Sequence, residues 1–261
     1  MKSLAIANQK GGVGKTTLAT HLAWHLAEQG KSVLFVDIDP QSNATSTLAS
    51  HARAAGVSSS QLFEPRDIAL PSPAAGEIVL VGADSKLVEL DSRPHSVLST
   101  FNQQVRAMAA PFDYLIVDVP PSLGNRMLAS LLATDALLCP IEPEKYAIDG
   151  VATMIATFRQ AQQLKATANR GGKIFPPSRM LGVFLTKVTR TFARHRATVQ
   201  ALAENYGQVI LPVYLPTRSA IGEAQSANVP VWGMGTSSSR DAAREMREAC
   251  AFIADKLEEK A

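Results

Sequence analysis

Short apolar runs alternate with longer segments of helical periodicity along most of the chain. The apolar runs predict strands at residues 4–7, 32–36, 77–81, 114–117, 136–141, 180–185 and 209–213. Helical spacing predicts helices over residues 18–29, 94–110, 123–134, 150–165 and 193–206. Runs that are apolar throughout are typical of strands buried on both faces of a parallel sheet, so the pattern indicates an α/β fold. We expect one domain over residues 1–261, with a doubly wound, mostly parallel sheet flanked by helices.

Residues 50–76 form the least regular part of the sequence. This segment contains Gly56, three consecutive serines and prolines at positions 65, 71 and 73, all of which favour turns. We therefore expect surface loops with at most a short helix in this segment, and no linker between domains.

A glycine-rich loop joins the first predicted strand to the first predicted helix. Residues 10–17 read K-G-G-V-G-K-T-T, whereas the standard phosphate loop G-x-x-x-x-G-K-[ST] needs a glycine where Gln9 stands. The glycines let backbone N–H groups converge on phosphate oxygens, and the helix start adds its positive end. The loop therefore predicts a phosphate site, with an extra lysine, Lys10, at its start.

The side chains of this loop suit a nucleotide with a bound cation. Lys15 is placed to neutralise the β- and γ-phosphates, and the Thr16 hydroxyl is placed to ligate Mg²⁺. The candidate nucleotide-binding residues in the loop are Lys10, Gly11, Gly12, Val13, Gly14, Lys15, Thr16 and Thr17. The alternative is a glycine-rich turn without a ligand, which is the weaker interpretation for two lysines among three glycines at a strand-to-helix junction.

Aspartates follow two of the predicted strands. Asp118 ends the run at residues 114–117, and Asp37 and Asp39 follow the second run. Phosphate chemistry uses one carboxylate to hold Mg²⁺ and another to orient the attacking water, both at the carboxyl ends of neighbouring parallel strands. Spacing of two residues puts Asp37 and Asp39 on one face if the strand continues. Each aspartate alone has the simpler interpretation of a turn or helix cap. The candidate metal residues are Thr16, Asp37 and Asp118.

Composition excludes several other classes of protein. The chain has 261 residues, 46% of them hydrophobic, which is enough for a large core and excludes a mainly disordered chain. Cys139 and Cys250 lie far apart, which is typical of buried thiols in a reducing compartment. No apolar stretch reaches the roughly 18 to 20 residues of a membrane span, so we expect a cytoplasmic protein.

The charge is mildly basic but unevenly distributed. The chain has 26 Lys+Arg against 23 Asp+Glu, for a net charge of +3. Clustered basic residues in the last third suit nonspecific contacts to DNA phosphates. The candidate DNA-binding residues are Lys187, Arg190, Arg194, Arg196, Arg240, Arg244 and Arg247. The alternative is a solvated helix face on which Asp241, Glu245 and Glu248 pair with the arginines.

Five motifs together resemble the ParA/Soj branch of the deviant Walker A ATPases, which are P-loop NTPases. They lie at residues 10–17, 33–43, 114–124, 133–141 and 215–224. The resemblance implies an ATPase that binds Mg-ATP between two protomers. The residues at which it implies catalytic roles are Lys10, Lys15 and Asp39.

The resemblance also implies a role for each of these residues. Lys10 would reach across a homodimer to the partner's phosphates, and Asp39 would position or activate the hydrolytic water. Asp118 would act on Mg²⁺ through water, with Thr16 as the direct ligand and Asp37 in support. The family's adenine contacts fall at Pro216 and Arg218. Thr217 stands where the family usually has arginine.

The function implied by this resemblance is partition of plasmid or chromosomal DNA. An ATP dimer would bind DNA nonspecifically in the nucleoid, and a ParB-type centromere-binding partner would stimulate hydrolysis and release. One alternative is a ParA-like ATPase that positions a non-DNA cargo, such as a chemosensory array or a secretion apparatus. Another is a metabolic or metal-carrier ATPase, although the chain lacks the C-x-x-C pair of the iron–sulfur carriers.

Two related arrangements are not expected. Membrane anchoring of the MinD kind needs a basic amphipathic helix, whereas residues 251–261 contain acidic side chains that anionic lipid repels. The glycine-rich loop begins at residue 10, so we also expect no helix-turn-helix domain before it. Specific operator binding through such a domain is therefore not expected either.

Overall fold

A computed structural model describes residues 1–68, 70, 72–172, 174–189 and 191–259. Its strands are β1 Lys2–Ile6, β2 Val33–Asp37, β3 Arg53–Ser58, β4 Ile78–Gly82, β5 Tyr114–Asp118, β6 Ala136–Ile141, β7 Arg179–Val188 and β8 Ile210–Pro216. Its α-helices are α1 Lys15–Glu28, α2 Asn43–Leu48, α3 Ser96–Ala109, α4 Asn125–Ala133, α5 Ala147–Arg170, α6 Ala193–Tyr206, α7 Ser219–Ser226 and α8 Ser239–Glu258. Short 3₁₀ helices cover Ser59–Phe63, Ser85–Ser92 and Val231–Gly233.

All eight described strands form one sheet in the order β3-β4-β2-β5-β1-β6-β7-β8. Every neighbouring pair is parallel. The predicted doubly wound parallel sheet is therefore confirmed. Because β1 lies between β5 and β6, the chain winds outward in both directions from the strand that precedes the glycine-rich loop.

Both faces of the sheet are covered by helices, which explains the uninterrupted apolar strands. In β2, Leu34 and Val36 pack into the core beneath α3, α4, α5 and α6. The alternate residues Val33 and Phe35 pack into the core beneath α1, α2, α7 and α8. All four side chains are fully buried. A central strand of this sheet therefore needs apolar side chains on both faces.

The expectation of loops with at most a short helix at residues 50–76 is wrong, because this segment contains β3. The strand lies at the edge of the sheet, where β4 is its one neighbour among the described strands. It alternates half-buried and exposed residues, so it lacks the continuous apolar run of the central strands. Gly56 has a φ of 76°, which favours glycine, and the register shifts between Ala54 and Ser58. At the start of the strand, Arg53 Nε lies 2.6 Å from Glu77 Oε1.

The two cysteines are free and buried, as predicted. Cys139 lies in β6, where burial raises the pKa of its thiol to about 12. Cys250 lies in α8, where burial also raises the pKa. Within the described part of the chain, no helix has the length and apolar character needed to cross a membrane.

A buried histidine joins α1 to the segment before α8. His21 Nδ1 donates to the carbonyl oxygen of Thr17 at 2.7 Å, and Nε2 accepts from the Val231 N–H at 3.1 Å. The rings of Trp24 and Trp232 meet the imidazole edge-on, at centroid distances of 5.2 and 5.4 Å. Burial lowers the pKa of His21 to about 4. The neutral imidazole uses both nitrogens in this packing, so a second ring proton would displace the Val231 N–H.

We expect His21 to weaken the fold in acid. Its stabilising effect is complete above the unfolded-state pKa of about 6.5 and is lost as pH falls towards about 4. The two values correspond to about 3 kcal/mol of unfolding free energy. His21→Gln should therefore lose less stability than the wild type between pH 7 and pH 4, as measured by urea unfolding.

His95 provides the matched control, because it is exposed to solvent. His95→Gln should keep the pH dependence of the wild type. If His21→Gln also keeps that dependence, another group causes the loss of stability in acid.

Candidate nucleotide-binding site

The glycine-rich loop follows β1 and leads directly into α1, which begins at Lys15. Gly12 and Gly14 have φ values of 74° and 84°, in the left-handed region that favours glycine. Gly14 is the N-cap residue of α1, and the first turn of this helix contains no acidic residue. The unpaired N–H groups and the positive end of α1 therefore lie beside the loop, where they attract an anion.

The parallel register aligns two carboxylates with the end of β1. Ile6 pairs with Asp118, and Asp118 pairs with Asp37 on its other side. Thr16 Oγ1, at the start of α1, donates to Asp118 Oδ2 at 2.7 Å. The other oxygen of Asp118, Oδ1, is buried and has no hydrogen-bond partner among the described residues. The pairing of these strand ends thus places an unpartnered oxygen of Asp118 and the hydroxyl of Thr16 next to the loop.

Asp37 is occupied by hydrogen bonds from its own neighbourhood. Its Oδ2 accepts from the backbone N–H and the hydroxyl of Thr45, at 2.8 and 2.7 Å. Its Oδ1 accepts from the Asp39 N–H at 3.0 Å. Since β2 ends at Asp37, the strand does not continue to Asp39, and the alternation argument for these two residues does not hold. Asp39 lies in the following turn, and its N–H bond to Asp37 fixes its position.

Burial disfavours the charged forms of both the acidic groups and the lysine of the site. Burial, together with the nearby Asp37 carboxylate, raises the pKa of Asp118 well above its ordinary value. Burial also raises the pKa of Asp37 to about 6. In the same site, burial lowers the pKa of Lys15, although Asp118 and Asp39 attract its charge. The carboxylates therefore favour a nearby cation.

The donor set fits Mg²⁺ bound together with phosphate. Mg²⁺ takes one or two protein oxygens and completes its shell with water and phosphate oxygens. Thr16 Oγ1 and the unpartnered oxygen of Asp118 are hard oxygen donors of this kind. Among the residues that the structure describes, no group of three or more His, Cys, Asp or Glu could hold a metal by itself.

The cleft beside the loop has a volume of about 370 Å³. Six predicted nucleotide-binding residues line it: Gly11, Gly12, Gly14, Lys15, Thr16 and Thr17. Asp39 and five residues not assigned to nucleotide binding from the sequence complete the wall: Gln41, Asn43, Pro121, Lys187 and Gln225. The motifs at 33–43 and 114–124 contain three of these, whereas Gln225 gave no local signal. It comes from α7, and its side-chain oxygen accepts from the Thr17 hydroxyl at 3.2 Å.

Lys10 and Val13 are in the loop but do not line the cleft as the structure describes it. The Lys10 side chain is exposed, and its carbonyl oxygen accepts from Lys15 Nζ at 3.1 Å. Val13 is fully buried. Its carbonyl oxygen accepts from Thr186 Oγ1 at 2.8 Å, a contact that no motif had indicated.

The predicted adenine contacts lie apart from this cleft in the described part of the chain. Pro216 ends β8 and lines a separate depression against α8. Arg218 is bound by Glu245 of α8, with Nη2–Oε1 and Nε–Oε2 distances of 2.6 and 3.0 Å. The Thr217 hydroxyl lies 2.9 Å from that of Thr189.

The predicted DNA-binding residues fall into separate groups. Arg194 and Arg196 are exposed in the first turn of α6. On α8 the described contacts favour the alternative interpretation, in which acidic residues pair with the arginines, since Arg244 lies 3.0 Å from Glu248. Arg247 also lies on α8, and it pairs with Glu28 at 2.7 Å and stacks over the Trp232 ring. Of the other three, Arg240 is exposed at the start of α8, Lys187 lines the cleft beside the loop, and Arg190 lies outside the described residues.

We expect Asp118→Asn to raise the thermal unfolding midpoint of the nucleotide-free protein at pH 7.5 by a few degrees. Burial and Asp37 disfavour the charge of Asp118, whereas the amide oxygen of asparagine still accepts from Thr16. The gain should shrink as pH falls, because the wild-type carboxyl then takes up its proton. Differential scanning calorimetry at several pH values measures both effects.

Asp67→Asn is the control for this change, because Asp67 is an exposed acid. Its replacement should leave the midpoint unchanged. A lower midpoint for Asp118→Asn at pH 7.5 would mean that the folded chain stabilises Asp118 as an anion.

Comparison with known proteins relates this geometry to a family. A family model described as an AAA domain matches residues 1–170, nearly two thirds of the chain. Protein IncC from Escherichia coli is 34% identical over 263 residues, which cover 99% of this chain and 70% of that protein. The chromosome-partitioning ATPase Soj from Thermus thermophilus is 34% identical over 233 residues, which cover 87% of this chain and 85% of Soj.

Solved structures share the architecture. A McdA variant from Cyanothece in complex with ATP has a TM-score of 0.80 and 23% identity, with 98% of this chain and 96% of that chain covered. At this identity the likeness supports the fold alone. Cobyrinic acid a,c-diamide synthase from Mycobacterium smegmatis with ADP and magnesium has a TM-score of 0.67 and 28% identity. That match covers 90% of this chain and 97% of the synthase.

These findings confirm the resemblance carried by the sequence motifs. The partition relatives match along most of their own length as well as along most of this chain. The solved neighbours have been captured with ATP, or with ADP and magnesium. The chain is therefore an ATPase and belongs to the ParA/Soj family of P-loop partition ATPases.

Proposed function

We propose that this chain binds Mg-ATP in the cleft beside the glycine-rich loop and dimerises around it. The ATP dimer binds DNA nonspecifically, and hydrolysis stimulated by a ParB-type partner releases it. The observation that carries the proposal is the buried, unpartnered Asp118 oxygen beside the Thr16 hydroxyl at the start of α1. This arrangement is suited to a cation that accompanies a phosphate chain.

The chain's own residues bind and orient the triphosphate. The loop N–H groups and the start of α1 hold phosphate oxygens, and Lys15 neutralises their charge. Thr16 and Asp118 hold Mg²⁺, and Asp37 supports them by fixing the turn that carries Asp39. When bound, Mg²⁺ neutralises the charge that develops on the phosphate oxygens. Pro216 and Arg218 remain our candidates for the adenine contacts.

Asp39 is our candidate for orienting the attacking water. The residue lines the cleft and is only 8% exposed. The Gln41 N–H donates to its Oδ1 at 3.0 Å, which limits rotation of the side chain. A carboxylate held at the wall of the phosphate cleft can align a water and accept its proton.

An exposed edge beside the loop favours dimerisation around the nucleotide. The Lys10 side chain is exposed and borders a depression that is also lined by Tyr146. Tyr146 is 69% exposed, and Leu123, which follows β5 at the same edge of the sheet, is 59% exposed. Large exposed apolar side chains near a functional cleft are typical of an interaction surface. A second copy docked there brings its Lys10 towards the nucleotide of the first.

The first turn of α6 is our preferred DNA-facing surface. Arg194 and Arg196 are exposed there, and Arg194 lies 3.4 Å from one carboxylate, that of Glu144. On α8, by contrast, Arg244 lies within 4.0 Å of three carboxylates, and Arg247 pairs with Glu28 at 2.7 Å. Exposed arginines can contact DNA phosphates without reading the base sequence. A DNA-bound ATP dimer would associate with the nucleoid in the cytoplasm.

The cargo is proposed from the relatives. One relative is named a chromosome-partitioning ATPase, which favours partition of DNA and hence a ParB-type partner. The likeness to cobyrinic acid a,c-diamide synthase keeps a metabolic ATPase as the second candidate. Retention on DNA that requires ATP separates the two, since a metabolic enzyme needs no DNA surface. A ParA-like ATPase for a non-DNA cargo would keep the nucleotide cycle and use a different partner.

Two substitutions test the nucleotide site. Lys15→Ala should lower ATP hydrolysis about 100-fold or more, because the phosphates lose their buried cation. Asp39→Ala should still bind ATP and dimerise but should not turn over, because only the water loses its partner. Phosphate release and size-exclusion chromatography with ATP measure these effects. The proposal would be contradicted if Lys15→Ala hydrolysed ATP normally. It would also be contradicted if Asp39→Ala stayed monomeric with ATP.

The DNA surface is tested by a double variant. Arg194→Ala with Arg196→Ala should weaken ATP-dependent retention on DNA and flatten its salt dependence, by about 0.9 in log–log slope for each DNA phosphate that the variant no longer neutralises. Arg244→Ala is the matched control, because its guanidinium lies within 4.0 Å of three carboxylates, those of Asp241, Glu245 and Glu248. Equal losses from both changes would place the DNA-binding surface on α8 as much as on α6.

A further inference from the structure

Two adjacent residues at the carboxyl end of β7 hold carbonyl groups of the glycine-rich loop. Thr186 is buried, and its hydroxyl donates to the carbonyl oxygen of Val13 at 2.8 Å. Lys187 Nζ donates to the carbonyl oxygen of Gly12 at 2.6 Å. Consecutive peptide groups of the loop are thus bound by consecutive residues of one strand.

These contacts restrict peptide groups that glycine would leave free to rotate. In a planar trans peptide, the N–H points opposite to the carbonyl. Binding the carbonyls of Gly12 and Val13 therefore also fixes the direction of the Val13 and Gly14 N–H groups. A loop whose N–H groups are already oriented loses less entropy when a phosphate binds.

Lys187 also has an unusual backbone conformation. Its φ is 52°, in the left-handed region, where a residue with a Cβ is strained. Strained positions persist where surrounding contacts fix them, and they are concentrated at functional sites. The Lys187 side chain is exposed and adds little packing, so its contact with Gly12 is the feature of this position that suggests a role.

Lys187 also borders the phosphate cleft itself, together with Lys15. Lys15 Nζ contacts the carbonyl of Lys10, two residues before Gly12. Two ammonium groups therefore approach the loop at different carbonyls, and both carry charge opposite to that of a triphosphate.

We propose that Lys187, supported by Thr186, is a positioning residue for nucleotide phosphates: it holds the loop and adds a cation beside the cleft. This assignment replaces the sequence-based interpretation of Lys187 as a DNA contact. It rests on the proposed ATP site and deepens it.

The test uses Lys187→Gly, because glycine accepts the left-handed backbone without strain. Its thermal midpoint should equal or exceed that of the wild type, while its Kd for ATP rises about tenfold, as expected when one charged hydrogen-bond donor is removed. Thr186→Val, which keeps the shape of the side chain, should raise the Kd about threefold. Lys187→Arg should recover part of the lost affinity, which a merely structural role would not predict.

Asn228→Gly is the matched control, because Asn228 has a similar φ of 54° and does not line the cleft. It should leave the Kd for ATP unchanged. For Lys187→Gly, DNA retention at saturating ATP should also remain that of the wild type. An unchanged Kd for ATP, or loss of DNA retention at saturating ATP, would overturn the assignment.

Lys15→Ala in the same binding assay distinguishes failure of this inference from failure of the proposed site. If Lys15→Ala loses ATP binding while Lys187→Gly keeps it, the site stands and the role of Lys187 is wrong. If Lys15→Ala binds ATP normally, the nucleotide site itself is wrong, and the role of Lys187 falls with it.

Discussion

The burial of Asp118 beside Asp37 is the constraint around which the functional edge of the sheet is arranged. Two carboxylates removed from water at the ends of adjacent strands are unfavourable unless donors or cations compensate them. Thr45 and the Asp39 N–H satisfy Asp37, while Thr16 and the charge of Lys15 partly satisfy Asp118. A cation in the cleft would compensate the remaining negative charge of Asp118. The strand order β2-β5-β1 brings these groups together.

Much of this arrangement could be predicted from sequence because it depends on local pattern. Strands covered on both faces must be apolar throughout, and the loop and its aspartates follow them directly. The edge strand β3 was not predicted, because its exposed positions interrupt the apolar run. The contact of Lys187 with Gly12 joins residues 175 positions apart, and Gln225 reaches Thr17 from 208 positions away. Such contacts depend on tertiary packing, which no periodicity or spacing encodes.

The basic residues of the last third form one group along the sequence, whereas in the fold they lie on different elements and have different neighbours. Arg218 and Arg244 find acidic partners on α8, and Arg247 reaches across to Glu28 of α1. The Arg244 and Arg247 pairs are largely exposed and add little stability, whereas the Arg218–Glu245 pair is partly buried, with 15% of the Glu245 side chain exposed. At the start of α6, Arg194 and Arg196 are both exposed, and Arg194 lies 3.4 Å from one carboxylate, that of Glu144.

The end of β7 contacts the phosphate loop, and Arg194 of α6 follows Lys187 by seven positions in the sequence. Beyond Lys187, the Thr189 N–H donates to His195 Nδ1 at 3.0 Å, and His195 Nε2 lies 3.2 Å from Glu144. Lys187 is therefore bonded to the loop, and Thr189 is bonded to α6 through His195. A displacement of the loop by a nucleotide would act on Lys187 and, through the bond of Thr189 to His195, on the helix turn that carries Arg194 and Arg196.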